Sequence, residues 1–87
     1  MKKIQELFPG VVPYNENEII TNPFSGQNYE LTGEEAALYD FIIGLQHTIE
    51  VNGGAFNAAT APYQKKMRKA LDWFRSNNPD AYMILLD

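Results

Sequence analysis

Cysteine is absent from this 87-residue chain, and histidine and tryptophan occur once each, as His47 and Trp73. Without thiols there is no disulfide framework and no thiolate ligation of zinc, and Cys-His catalysis is excluded. A Ser-His arrangement would have to use Ser25, in a turn, or Ser76, at a helix end, and neither is set in a nucleophile elbow. Long apolar runs are missing too. The longest, "AYMILL" at 81 to 86, has six residues, against the roughly 18–20 that a membrane span requires. The opening "MKKIQELFPGVVPY" carries two lysines, but Glu6, Pro9, Gly10 and Pro13 interrupt the apolar stretch of a signal peptide, so secretion is not expected. A cysteine-free chain of this kind suits a reducing, cytoplasmic setting. "NGGAF" has no lysine and no P-loop spacing and reads as a helix stop. His47, near Asp40 and Glu50 on the polar side of a helix, reads as a surface or interface residue. No enzyme activity, cofactor, metal, membrane or small-molecule substrate is expected.

What the chain does have is ample material for one core. Apolar residues make up 45 % and charged residues only 21 %, which separates it from disordered compositions. A chain this short cannot support two cores. The expected organisation is an N-terminal arm over 1–17, mobile because Pro9, Gly10 and Pro13 break any regular element, followed by a single α+β domain over 18–87.

Within that domain, β-branched Ile19, Ile20 and Thr21 and then Tyr29 and Leu31 flank the turn formers Asn22, Pro23, Ser25 and Gly26. That arrangement predicts a β-hairpin with its tip at 22–26. An irregular loop is the alternative. "TGEE" at 32–35 is a capping box, with Thr32 and Glu35 exchanging side-chain and backbone hydrogen bonds. The helix it starts runs to Asn52-Gly53-Gly54, where glycine permits a left-handed cap. A second helix follows the small-residue connection "GGAFNAATA", with Thr60 as cap, Pro62 in the first turn, and a stripe of Tyr63, Met67, Ala70, Leu71 and Phe74. "NPDAYMILLD" reads as a short terminal helix capped by Asn78, with a strand as the alternative. Its apolar run from Tyr82 to Leu86 must dock. The architecture expected is α+β, with an N-terminal β-hairpin packed on two main α-helices and a short C-terminal helix.

The first helix has more apolar surface than one stripe requires. Leu38, Phe41, Ile42, Leu45 and Ile49 face the core, but Ala36, Tyr39 and Ile43 lie on one flank and Ala37, Gly44 and Val51 on the other. Either the rest of the chain covers these flanks, or a second copy does, with Ala37 and Gly44 small enough to admit a partner helix. Tyr39, Ile43, Ala37, Gly44 and Val51 are therefore the candidate self-association residues, and a homo-oligomer or another protein is the expected partner.

Charge is divided. Residues 1–62 hold two lysines against eight carboxylates, net −6, whereas residues 65–75 hold five basic groups against Asp72, net +4. Most of the second helix's basic face is spaced for solvent and for Asp72. Lys66, Lys69 and Trp73 differ, since they share a flank at i, i+3 and i+7 and would set an aromatic plate beside two ammonium groups, a possible anion or nucleic-acid patch. In the other two readings, lysine stems lie over a marginal Trp73, or the basic flank meets an acidic protein surface. The net charge and a connection of about eight residues, too long for a helix-turn-helix, make nucleic acid the lesser expectation. A weak nucleic-acid-binding accessory is the alternative to an interaction module.

The stretches "NPFSGQNYELTGEEAALYDFIIG" and "ALDWFRSNNPDAYMILLD" resemble small uncharacterised proteins encoded by tailed phages of marine bacteria, of the cyanophage type. The resemblance covers residues 22–87. It is carried by Asn22, Pro23 and Gly26, by Leu31 and Thr32, by Leu38-Tyr39-Asp40, by Trp73-Phe74 and by the Tyr82-Met83 run. It implies a phage-infected bacterial cell as the setting and supplies no catalytic residues.

Overall fold

The hairpin forms where the turn residues cluster. The structure, a computed structural model, describes residues 4–54 and 56–86, apart from the side chain of residue 5. Strand β1 (Glu18–Thr21) pairs antiparallel with β2 (Asn28–Leu31), Ile20 opposite Tyr29 and Thr21 opposite Asn28. Period-two alternation turns Ile20, Tyr29 and Leu31 inward and leaves Ile19 and Glu30 outside. At the tip the Asn22 amide donates to the Gln27 carbonyl at 2.8 Å and the Gly26 amide to the Asn22 carbonyl at 2.9 Å. Gly26 is at φ 78°, a region glycine enters without steric cost. The Asn22 Oδ1 accepts from the Phe24 amide at 2.8 Å, an Asx turn that closes the tip over 22–26 as expected.

Helix α2 (Gly33–Val51) starts at the capping box. The Glu35 amide donates to Thr32 Oγ1 at 3.2 Å and the Thr32 amide to Glu35 Oε1 at 2.9 Å. It ends in a Schellman motif, with the Gly54 amide on the Ile49 carbonyl at 2.8 Å, the Gly53 amide on the Glu50 carbonyl, and Gly53 at φ 103°. A 3-10 turn (Ala58–Thr60) then leads into α3 (Ala61–Asn77). Thr60 stands at the cap position, but its hydroxyl does not cap α3. It is buried and turned back toward the connection, within 3.0 Å of the Gly54 carbonyl and 2.8 Å of the Asn57 carbonyl, and accepts from Gln64 Nε2 at 2.8 Å.

The terminal segment is helical: one turn, α4 (Pro79–Ala81), continues as a π-helix over Tyr82–Leu86. Asn78 caps it by accepting from the Ala81 amide at 3.3 Å. The same residue ties three elements together. Its Nδ2 donates to Glu35 Oε2 at 2.7 Å, and its Oδ1 accepts from the Tyr29 hydroxyl at 3.2 Å. The capping glutamate of α2 is thereby linked to the start of the terminal helix.

The core lies between α2, α3 and the terminal helix, with Leu38, Ile42, Ala70, Phe74, Ala81 and Leu31 buried together. Leu85 joins them, so the apolar run docks. The segment expected as a mobile arm departs from that expectation. A helical turn, α1 (Ile4–Leu7), and the chain after it run over the core as a strap, with Ile4, Phe8 and Val11 buried in it. Proline and glycine prevent a long regular element here, but they do not prevent burial. The strap is held at its far end by the Tyr14 amide donating to the Gly33 carbonyl at 3.1 Å. Lys2 and Lys3 of the expected arm, and Ala55 of the connection, lie outside the described residues.

Candidate interaction surface

Three elements place an apolar groove beside the flank of α2. Asn22 Nδ2 donates to the Ile84 carbonyl at 2.8 Å, which fixes the hairpin tip against the terminal helix. Phe24, Tyr39, Ile43, Gln46 and Leu86 then line a groove of about 210 Å³, with no charged side chain among its lining residues. Phe24 is 97 % exposed and Ile43 43 %. Tyr39 is half-buried, and that burial, followed by the nearby Asp40 carboxylate, pushes its phenol above the usual tyrosine value.

The five flank residues of α2 are divided by the fold. Tyr39 and Ile43 meet in this groove. Ala37 is buried, with Gly10, Val11 and Val12 of the strap beside it. Gly44 and Val51 are exposed, Val51 at 65 %. They lie about 80–100° around the helix from Ile43 at the helical 100° per residue, with Asp40 and His47 between. A Cβ on Gly44 would meet nothing within 4 Å. Phe24 and Leu86 are the residues that spacing along α2 did not indicate. One signal for Phe24 was present: a large aromatic between Pro23 and Ser25 at a turn tip has no strand neighbour to pack on.

The basic flank is also divided. Lys69 Nζ donates to the Leu7 carbonyl at 2.9 Å and lies 5.3 Å from the centroid of the Phe8 ring. Lys66 and Lys69 border a pocket of about 220 Å³ with Phe8, Pro9 and Phe41. The aromatic ring that faces Lys69 is thus Phe8 of the strap. Trp73 is half-buried against the core, edge-on to Phe74 at 5.2 Å and 87°. Asp72 pairs with Arg75 at 3.6 Å, one of the pairings its spacing allowed.

Beside the strap, the Tyr14 hydroxyl donates to Asp40 Oδ2. That hydrogen bond, with lesser contributions from desolvation and from the Asp40 and Glu18 charges, raises the Tyr14 phenol above its ordinary value. His47 is exposed on α2. Among the described residues no three His, Cys, Asp or Glu side chains converge in a metal-binding group, and no helix is long and apolar enough to cross a membrane. Compared with known protein families, curated proteins and solved structures, the chain matches none.

Proposed function

We propose that this chain is a non-enzymatic protein-interaction module that self-associates through the Phe24–Ile43 groove, within a phage or host assembly in the cytoplasm of an infected bacterial cell. The observation that carries the association is Phe24, 97 % exposed beside an uncharged groove lined by Tyr39, Ile43 and Leu86. A two-fold interface needs a patch that fits itself, and this one contains both a projecting ring and a recess. Two copies, each with a net charge of −4, repel at long range, so contact through an uncharged patch avoids adding close like-charge pairs. Burying a ring of this size removes roughly 2–3 kcal/mol of exposure cost per copy. The infected-cell setting is supported by the sequence resemblance alone.

Sedimentation velocity over about 5–500 μM, the range where modest interfaces populate, tests the reading. The wild-type chain should move toward a dimer with rising concentration. Phe24→Ser and Ile43→Glu should each return it to a 9.9 kDa species without lowering its melting temperature, because both side chains lie largely outside the core. A wild-type chain that stays monomeric across the range defeats the proposal.

A further inference from the structure

A second recess lies on α3, away from the hairpin tip. Ile49 of α2 and Met67 and Leu71 of α3 border a cleft of about 370 Å³, with Arg68, Asp72 and Arg75 along its rim. Met67 and Leu71 belong to the apolar stripe of α3, yet both remain half-exposed, because Ile49 is the one α2 residue that reaches the cleft. We propose that this cleft is a docking site for an acidic amphipathic segment of another protein, its apolar side chains on Met67 and Leu71 and a carboxylate on Arg68.

Charge complementarity selects this occupant. The rim carries Arg68 and Arg75 against Asp72, a local net charge of +1, whereas residues 1–62 sum to −6, so the cleft favours a carboxylate that the acidic part of the chain repels. Arg68 forms no ion pair or hydrogen bond among the described residues. Arg75 is engaged with Asp72 at 3.6 Å, donates to the Tyr82 hydroxyl at 3.1 Å and lies 5.1 Å from the Tyr82 ring centroid, so Arg68 is the rim cation that meets the segment's carboxylate. Methionine on the floor adapts to different apolar partners, and a groove between two helices takes the apolar face of a third. Nucleic acid fits less well. The floor is aliphatic and thioether, with no ring on which a base would stack, and the nearest tryptophan is packed edge-on against Phe74.

Fluorescence anisotropy tests the site with a labelled helical peptide of about 14 residues, leucines at i, i+3, i+4 and i+7 and glutamates elsewhere. Comparators are the same peptide with lysine for glutamate, the same with serine for leucine, and an oligo-dT of about 12 nucleotides. Titrations run in parallel on the Ile43→Glu chain, so that failure of the Phe24 groove and failure of this cleft are read separately. The acidic leucine peptide should bind, and Arg68→Glu, a fully surface change checked by its melting curve, should weaken it at least about tenfold. The lysine peptide should bind Arg68→Glu better than it binds the unmodified chain. The proposal is overturned by absence of binding, by equal binding of the acidic and lysine peptides, by an affinity indifferent to Arg68→Glu, or by tighter binding of oligo-dT. It is also overturned if unlabelled copies of the chain displace the peptide as effectively as unlabelled peptide does, since a second copy would then be the occupant.

Discussion

Gly33→Ala isolates the contact by which the strap is fastened to the domain. Gly33 is the first residue of α2, where alanine is the better helix former, and its φ lies outside the left-handed region. By local propensity alone the substitution should be neutral or stabilise by up to about 1 kcal/mol. The tertiary contact opposes this. A Cβ at Gly33 would stand 1.9 Å from the Tyr14 carbonyl oxygen and 2.8 Å from the Tyr14 carbonyl carbon. Both are backbone atoms, so relief requires the strap or the first turn of α2 to move by more than about 1 Å, since non-bonded carbon and oxygen atoms separate at roughly 3.3 Å. Such a shift breaks the 3.1 Å bond from the Tyr14 amide to the Gly33 carbonyl and loosens the bond from Tyr14 to Asp40. Two hydrogen bonds at about 1 kcal/mol each, plus an overpacking cost of about 1–3 kcal/mol, outweigh the propensity gain of up to about 1 kcal/mol by at least about 2 kcal/mol. Urea unfolding followed by Trp73 fluorescence and by circular dichroism should give that loss, with a melting temperature lower by at least about 8 °C for a domain of this size. Gly44→Ala is the control. Its Cβ would meet nothing, so it should be neutral or stabilise by up to about 1 kcal/mol. If Gly33→Ala is as stable as the unmodified chain and the Tyr14 amide remains equally protected from hydrogen exchange, the strap is not held in the way described.

Asn78→Ala removes partners from Glu35, Tyr29 and the Ala81 amide at once and should lower stability in urea by about 2–3 kcal/mol; a loss under about 0.5 kcal/mol would mean that water replaces the junction. Gly53→Ala forces a side chain into φ 103° and brings its Cβ to 2.7 Å from Asn57 Nδ2, and should cost about 1–2 kcal/mol in the same assay. For Tyr14, a phenol whose folded value exceeds its ordinary 10.0 keeps its proton longer folded than unfolded. Its contribution is therefore present below about pH 10 and lost as pH rises through the folded value. The stability difference between the unmodified chain and Tyr14→Phe should shrink above about pH 10, and a difference constant from about pH 8 to 11 would refute the assignment.

The features legible in the sequence are those whose cause lies within a few residues. Thr32 and Glu35 cap the first helix by reaching three positions along the chain, Gly53 and Gly54 end it by adopting backbone angles other residues avoid, and Asn22 closes the hairpin onto its own next amides. The strap was not legible for the converse reason. Pro9, Gly10 and Pro13 erase the periodicity that would mark Ile4, Phe8 and Val11 as core residues, and their burial depends on α2 and α3, which lie far along the chain. Lys69 shows the same limit, because its partner is a backbone carbonyl 62 positions away, and no pattern in the second helix announces it. At the candidate surface, the excess apolar circumference of α2 drew attention to Tyr39 and Ile43, but the groove exists only because the hairpin tip and the terminal helix arrive beside them. The π-helical continuation of α4 has no evident local cause in Tyr82–Leu86.

How the chain distributes its cover over α2 explains where the exposed surface falls. Ala36, Ala37 and Leu38 are all buried, and three consecutive helical residues span about 200° of the circumference, so the N-terminal part of α2 is wrapped over more than half of its circumference by strap, hairpin and core. Further along, burial continues only at Ile42, Leu45 and Ile49, on one face, while Ile43 and Val51 stay open. The strap contacts α2 near its beginning and the hairpin packs beside its first half. Toward the end of the helix only α3 and the terminal segment remain as cover. The groove at Ile43 and the cleft at Ile49 both lie where that wrapping stops. If the chain associates as proposed, stability and association would for that reason be carried by different residues. Substitutions at Gly33, Asn78 or Phe8 act on the wrapped half and should change melting temperature, whereas Ile43→Glu and Arg68→Glu act on the open half and should change binding while leaving the fold in place.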